Sequence, residues 1–211
     1  MHDFSPAKSD AGAAGGGLLK VAVFGDSLSA GFGLDGGSGF SPALQKELDA
    51  ANVPAKVVCA AVSGDTSADG LKRADGMLAD IPDIVILEFG YNDLYYGKSA
   101  DSVKNNLSAL ITRIKRAGAR VLLAGTHAPA GVSAAERMRY AEIFEQLRDE
   151  NNVPLYPFFL EGVLLNPFLH LPGDDIHPNA EGVRIVAKNI APMAAQIAAE
   201  IKNARLAEGR A

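Results

Sequence analysis

The chain reads Leu-Leu-Lys-Val-Ala-Val-Phe-Gly-Asp-Ser-Leu at residues 18–28, and this stretch decides the fold class. Its first seven residues are apolar except for Lys20. A short apolar run of this kind, bounded by glycine, is typical of a strand that is buried on both faces. Ser27 therefore lies just beyond the end of a buried strand, where we consider its hydroxyl a candidate nucleophile.

Similar short runs recur along the chain and alternate with longer stretches of helical period. The predicted strands are 19–24, 57–62, 84–89, 120–124 and, more weakly, 153–156. The predicted helices are 41–51, 66–78, 103–118, 133–150 and 183–201. This alternation predicts βαβ units in an α/β fold, with a five-stranded parallel sheet covered by helices on both faces.

Local signals support the helix starts and identify one unusual strand residue. Thr66 with Asp69, and Ser133 with Glu136, have the spacing of a capping box. Glu88 stands inside the apolar third strand. We expect neighbouring donors to bind its carboxyl group, because a lone buried charge is costly.

Length and composition predict a single globular domain. The chain has 211 residues, enough for one substantial core. We expect the domain to span 18–202, followed by a C-terminal tail at 203–211. Residues 1–17 are rich in Gly, Ala, Ser and Asp, and are expected to be a flexible leader or a remnant of expression. They lack the apolar stretch of a signal peptide, so we expect a cytoplasmic protein, or a periplasmic or secreted one if a native leader was removed.

Charge and hydropathy exclude two classes of partner. The net charge of −5 gives no electrostatic reason to expect nucleic acid. No run of about 18 apolar residues occurs, so no integral membrane segment is expected. Cys59 is the only cysteine, which excludes an intramolecular disulfide and predicts a buried strand thiol. The oligomeric state is not specified by any of these patterns.

Polar residues follow the strands at positions that should converge. Ser27 follows the first strand, Gly64 the second and Asn92 the third, whereas His177 lies in the loop before the last helix. Ligands of open α/β sheets bind at the carboxyl ends of the strands. We therefore expect these four residues to meet at one edge of the sheet.

The residue types in these loops are those of a serine hydrolase. A serine hydroxyl becomes a good nucleophile when a histidine accepts its proton, and a carboxylate holds the histidine in the correct tautomer. Ser27, His177 and Asp174 fit these catalytic roles, with Asp175 as an alternative carboxylate. The N–H groups of Ser27 and Gly64 and the side-chain amide of Asn92 are candidate donors for an oxyanion hole. A helix dipole beginning just after Ser27 would add to their effect.

Together these blocks resemble the GDSL or SGNH hydrolase superfamily. Ser27 stands in Gly-Asp-Ser-Leu, Gly64 in Ser-Gly-Asp, Asn92 in Gly-Tyr-Asn-Asp, and Asp174 with His177 in Asp-Asp-Ile-His-Pro. The resemblance covers about residues 19–200 and is closest to the bacterial acyl-thioesterases, lysophospholipases and arylesterases. It implies a flavodoxin-like three-layer α/β/α sandwich. It also selects Asp174 over Asp175 as the partner of His177.

Other residues beside the four blocks are candidates for substrate binding. We assign this role to Asp26, Leu28, Tyr91, His127 and Ile176. For Asp26 the competing interpretation is orientation of the loop, and for His127 an ordinary surface-loop position. Tyr91 stands where close relatives commonly carry a smaller residue.

No pattern indicates a cofactor or a metal. The string Gly-Phe-Gly-Leu-Asp-Gly at 31–36 matches a dinucleotide fingerprint, but it starts too far after its strand and opens no predicted helix. We expect a loop near the active site instead. His and Cys do not occur at the spacing of metal ligands.

The sequence thus predicts a cofactor-independent hydrolase that cleaves small acyl esters, and thioesters as well, through an acyl-enzyme. Two alternatives stay open. One is removal of acetyl groups from a carbohydrate, and the other is a non-catalytic binding module on a flavodoxin-like sheet.

Overall fold

A computed structural model describes residues 17–209 of the chain. The predicted leader at 1–17 lies outside the described residues except for Gly17. Five strands form one parallel sheet in the order β2-β1-β3-β4-β5. They are β1 (Leu19–Gly25), β2 (Ala55–Cys59), β3 (Ile84–Glu88), β4 (Arg120–Ala124) and β5 (Leu155–Tyr156). The prediction of a five-stranded parallel sheet is confirmed.

Helices connect the strands and cover both faces of the sheet. They are α1 (Ser27–Ala30), α2 (Phe40–Ala50), α3 (Ser67–Leu78), α4 (Tyr91–Tyr95), α5 (Ala100–Arg116), α6 (Ala134–Asn151) and α7 (Ala180–Ala207), with a 3-10 turn at Pro167–Leu169. Helices α2 and α7 pack in one apolar layer, whereas α3, α5 and α6 pack in the other. The three-layer sandwich is therefore confirmed.

The apolar strands bury alternate side chains in the two layers. In β1, Val21 and Val23 belong to the layer of α2 and α7, whereas Ala22 and Phe24 belong to the opposite layer. Successive side chains of a strand point to opposite faces. A central strand covered on both faces must therefore be apolar where it is covered, as β1 is from Val21 onwards, whereas Lys20 near its start is exposed.

The direction in which successive strands are added to the sheet reverses between β1 and β3. Strand β1 pairs with β2 on one side and with β3 on the other, with Gly25 opposite Glu88 at the carboxyl end. Ligand crevices of such sheets form where the order reverses. The loops that begin with Asp26 and Phe89 therefore flank the expected crevice.

Strand β2 differs from its prediction in bounds and in burial. It spans Ala55–Cys59 instead of 57–62, and within residues 17–209 it pairs only with β1, at the edge of the sheet. Its outer residues consequently reach solvent, and Cys59 is exposed. The prediction of a buried thiol is wrong, because an apolar run does not reveal which strand lies at the edge.

The helix ends follow their caps with two differences. The capping box of Thr66 and Asp69 forms as predicted. Ser133 caps α6, but the Glu136 carboxylate accepts a hydrogen bond from the Ala100 N–H of α5 instead of closing the box. Helix α7 continues to Ala207 and so includes the first part of the segment predicted as a tail.

Candidate active site

The candidate nucleophile begins a single helical turn at the end of β1. Asp26 caps this turn, with its Oδ1 accepting a hydrogen bond of 3.0 Å from the Leu28 N–H. Gly31 ends the turn in the left-handed region, at φ 81°. Helix α1 has only four residues, so the expected helix dipole is reduced to the N–H groups of one turn. Ser27 itself remains partly exposed.

The imidazole of His177 lies between Ser27 and Asp174. Its Nε2 is 2.9 Å from the Ser27 Oγ, and its Nδ1 is 2.7 Å from the Asp174 Oδ2. With the proton on Nδ1, Nε2 can accept the serine proton. The distances fit the relay of a serine, a histidine and a carboxylate in a serine hydrolase. Asp175, the alternative carboxylate, is exposed.

The second oxygen of Asp174 binds its own loop. Oδ1 accepts the backbone N–H groups of Ile176 and His177, each at 2.8 Å. Burial acts to raise the pKa of Asp174, but these N–H groups and the His177 side chain outweigh it and hold the pKa below its usual value. Asp174 is therefore a carboxylate at neutral pH.

The loop that holds this pair is closed at its base. The Leu171 N–H donates to the His177 carbonyl at 2.9 Å, and His170 forms an antiparallel bridge with Pro178. Asn179 then caps α7, its Oδ1 accepting two backbone N–H groups. These short-range contacts explain why Asp174, His177 and Pro178 occur at a fixed spacing within one loop.

The Asn92 amide connects the loops after β1, β2 and β3. Its Nδ2 donates to the Asp65 carbonyl at 2.9 Å and to the Asp26 Oδ2 at 3.3 Å. Asp65 follows Gly64, and Asp26 precedes Ser27. The structure thus brings the loops of all the candidate oxyanion donors together at the carboxyl end of the sheet.

Gly64 presents its backbone to open space. Its φ is +87°, a conformation that side chains rarely adopt, and a Cβ there would meet no atom within 4 Å. The glycine is therefore explained by backbone conformation rather than by lack of room. Gly64 itself is exposed at this turn.

Arg73 holds two of these loops together and was not identified from the sequence. Its Nη2 donates to the Gly25 carbonyl at 3.0 Å, its Nη1 to the Ala60 carbonyl, and its Nε to the Asp65 carboxylate. The guanidinium also lies 4.3 Å from the centroid of the Phe24 ring. The only sequence signal was an arginine beside the predicted apolar face of α3.

Phe32 covers the imidazole from the predicted loop at 31–36. Its ring centroid is 4.5 Å from that of His177, at an interplanar angle of 38°. The side chain is 49% exposed, so it is not part of the hydrophobic core. The expectation of a loop near the active site is consistent with this contact, but the role of Phe32 was missed, because the sequence does not specify where the ring lies.

Two residues expected to bind substrate are enclosed instead. Asp26 and Leu28 are 0% and 2% exposed. Asp26 turns inward as the cap of α1, and Leu28 packs in the layer of α2 and α7. Both side chains support the nucleophile loop, and their contact with substrate stays a prediction. Ile176 is partly buried against the same layer.

Aromatic side chains surround His127 near the Asn92 helix. The His127 ring lies 5.1 Å from Tyr91 and 5.7 Å from Phe158, measured between centroids. Burial, and secondarily the nearby His170, lower the pKa of His127 to about 4. His127 is therefore neutral at neutral pH and can offer an apolar or hydrogen-bonding surface, but no charge.

A cavity of about 630 Å³ lies between the segments that follow Asn92 and His127. Leu94, Tyr95, Pro129 and Val132 are among its lining residues, with Lys98 and Glu136 as charged members.

Within residues 17–209, no group of three or more His, Cys, Asp or Glu side chains could hold a metal ion. In the same part of the chain, no helix has both the length and the hydropathy needed to cross a bilayer.

Comparison with known proteins identifies relatives across most of the chain. A family model described as the GDSL-like lipase/acylhydrolase family matches residues 23–185. Esterase TesA of Pseudomonas aeruginosa is 34% identical over 171 residues, covering 81% of this chain and 85% of that protein. The thioesterase 1/protease 1/lysophospholipase L1 of Escherichia coli is 34% identical over 166 residues, covering 78% of each. A crystal structure of TesA superposes with a TM-score of 0.79 at 32% identity, covering 85% of this chain and 99% of that chain.

Proposed function

The chain belongs to the GDSL-like lipase/acylhydrolase family and is a carboxylic ester hydrolase, and from that premise we propose that Ser27 is its nucleophile, His177 its general base and Asp174 the carboxylate that orients the base. The observation that carries the proposal is the continuous contact from Ser27 Oγ to His177 Nε2, at 2.9 Å, and from Nδ1 to Asp174, at 2.7 Å. The partner is a small-molecule ester.

In the proposed reaction, the Ser27 oxygen attacks the ester carbonyl as His177 Nε2 takes its proton. Asp174 stabilises the resulting imidazolium. The tetrahedral intermediate collapses as His177 returns the proton to the leaving alcohol, which leaves an acyl group on Ser27. Water, deprotonated by His177, then attacks the acyl-enzyme, and the bond to Ser27 breaks as His177 returns the proton to the serine oxygen and the acid leaves.

We assign the oxyanion hole to the N–H groups of Ser27 and Gly64 and to the Asn92 amide. The contacts of Asn92 with the loops of the other two donors support this assignment. Each preorganised donor typically contributes about 2.7–4 kcal/mol to the stabilisation of the transition state. Three neutral donors suit a carbonyl oxygen whose negative charge is transient.

The substrate class proposed here is small acyl esters and, by extension, acyl thioesters. Relatives named as an esterase and as a thioesterase/lysophospholipase support this range. We place the acyl chain beside Tyr91 and His127, whose ring centroids lie 5.1 Å apart. No observation favours the carbohydrate acetylesterase. We also propose that residues 18–202 form the single catalytic domain, which the shared sheet supports.

The test is Ser27→Ala, measured as kcat and KM on p-nitrophenyl acetate, with thermal unfolding as the check of folding. Loss of a nucleophile of this type lowers kcat by about 10⁶-fold. The matched control is Ser108→Ala in α5, which should leave kcat unchanged. Activity of the Ser27→Ala variant within tenfold of the parent would overturn the proposal.

A series of p-nitrophenyl esters and acyl-CoA thioesters addresses the substrate class. We expect kcat/KM to rise with acyl length, by about tenfold or more for each methylene that fills a fitted pocket. Restriction to acetyl groups, with strong dependence on the alcohol, would instead favour carbohydrate deacetylation.

A further inference from the structure

Two carboxyl groups lie buried behind the nucleophile without a cation. Asp26 and Glu88 are both 0% exposed. Glu88 ends β3 directly opposite Gly25, so the strand register fixes its position next to Asp26. Within residues 17–209, neither of these two carboxyl groups forms a salt bridge. Two bare charges in such a place would be very costly.

The expected donors for Glu88 are present but few. Its Oε2 accepts the Ser29 hydroxyl at 2.9 Å and the Asp26 N–H at 3.4 Å, whereas its Oε1 is buried without a partner. The hydrogen bond from the Asp26 N–H also brings the two carboxyl-bearing residues into direct contact. Two ionised carboxylates buried this close together without a cation would be very costly, so one member of the pair holds a proton.

Burial raises the proton affinity of both groups. Burial, followed by the charge of Glu88, raises the pKa of Asp26 well above its usual value. Burial likewise raises the pKa of Glu88 to about 7. Both shifts favour the protonated form, so the pair holds a proton more strongly than free carboxyl groups do and gives it up as the pH rises.

The other ionisable groups around the pair come from three helices. Asp93 and Tyr91 face it from α4, Tyr140 from α6 and Arg73 from α3. Arg73 is occupied by the Gly25 and Ala60 carbonyls and by Asp65, and Asp93 by the N–H and hydroxyl of Ser67. Arg73 therefore does not neutralise the pair directly.

The pair contacts the oxyanion amide. The Asp26 Oδ2 accepts an Asn92 N–H at 3.3 Å, the longer of the two bonds of that amide. A neutral carboxyl group holds this N–H weakly, so that it can move to a developing oxyanion. A carboxylate would bind it about twice as strongly and would also place a negative charge beside the oxyanion.

We infer that Asp26 and Glu88 are positioning residues whose shared proton keeps the Asn92 amide available to the oxyanion. When the last proton leaves the pair, the Asp26 carboxylate retains the amide and kcat falls, while KM changes little. Ester hydrolysis therefore has an alkaline limit set by this pair. The inference rests on the proposed roles of Ser27 and Asn92.

Two isosteric variants should move the alkaline limit in different ways. In Asp26→Asn, the amide oxygen still accepts the Leu28 N–H, but no carboxylate can form beside Asn92, so the alkaline fall of kcat disappears. In Glu88→Gln, Asp26 loses its like-charged neighbour and ionises more easily. The fall then begins at lower pH, by about one pH unit or more.

The measurement is kcat and KM on p-nitrophenyl acetate from about pH 5 to about pH 9, after subtraction of the uncatalysed rate, with unfolding curves at each pH. A merely structural role would lower the stability of both variants without moving the limit. An alkaline limit at the same pH in the parent and both variants, or an effect on KM alone, would overturn the inference.

Infrared spectroscopy of the parent protein tests the inference if a variant does not fold. The band of the protonated buried carboxyl group should vanish over the same pH range as kcat, and persistence of the band through the loss of activity would refute the shared proton. Labelling of Ser27 by an organophosphate separates the two proposals. A labelled Ser27 with an unmoved alkaline limit rejects only the carboxyl pair, whereas an active Ser27→Ala variant rejects the nucleophile.

Discussion

Replacing Asp174 by asparagine tests the most specific feature of the site, the division of labour between its two carboxylate oxygens. Oδ2 binds His177 Nδ1 at 2.7 Å, whereas Oδ1 accepts the N–H groups of Ile176 and His177 at 2.8 Å each. An amide has one oxygen and one NH₂ group, so it can satisfy only one side. If the asparagine oxygen keeps the hydrogen bonds from the Ile176 and His177 N–H groups, its NH₂ group faces Nδ1 of His177.

The expected loss of kcat follows from the imidazole tautomer that an asparagine NH₂ group facing Nδ1 requires. An NH₂ group that donates to Nδ1 leaves the imidazole proton on Nε2, which then cannot accept the proton of Ser27. The opposite orientation leaves two backbone N–H groups without an acceptor, at about 1–3 kcal/mol each. Asparagine in place of the triad carboxylate lowers kcat by about 10⁴-fold in a serine protease, equivalent to about 5 kcal/mol in the barrier. We expect a loss of that order.

The assay is kcat on p-nitrophenyl acetate at neutral pH, with thermal unfolding measured on the same preparation. Asp175→Asn is the matched control, because Asp175 is adjacent and exposed, and it should keep kcat within about twofold. A loss below tenfold for Asp174→Asn, or an equal loss for both variants, would refute the reasoning.

Two further predictions concern the aromatic cover and a strained glycine. Phe32→Ala should lower kcat by about two- to fivefold, because the ring that contacts His177 stabilises the imidazolium of the transition state by about 0.5–1 kcal/mol. Phe32→Leu should restore part of the loss, and equal rates for both variants and the parent would dismiss the contact. Gly90→Ala should lower the Tm by roughly 2–12 °C, since φ is +128° and the new Cβ would stand 2.2 Å from the Tyr140 hydroxyl. Gly76→Ala, a helical site with open space, is its control and should not lower the Tm, and an equal Tm for both would contradict the strain.

Much of the fold was predictable because its signals are local. A strand covered on both faces needs a continuous apolar run, and β1, β3 and β4 have one within a residue of the predicted bounds. The edge strand β2 was displaced, and Cys59 was assigned to the interior, because strand order is a property of the whole sheet. Local sequence contains no equivalent signal.

In the candidate site, too, the residues with local sequence signals could be predicted and the others could not. Ser27 and His177 could be selected from motifs whose spacing reflects short-range hydrogen bonds, such as those of Asp174 within its own loop. Phe32 and Arg73 were missed because their partners are distant in sequence. Their positions depend on how loops pack against one another, which residue types alone do not specify.

The edge position of β2 has a practical consequence for experiments. It leaves the single thiol of the chain, Cys59, at the surface on the strand that leads to the Gly64 turn. A maleimide fluorophore or spin label would consequently attach at one defined point. Such a reporter could register motions of the neighbouring turn during turnover, and the same sulfur could immobilise every molecule on a sensor in one orientation.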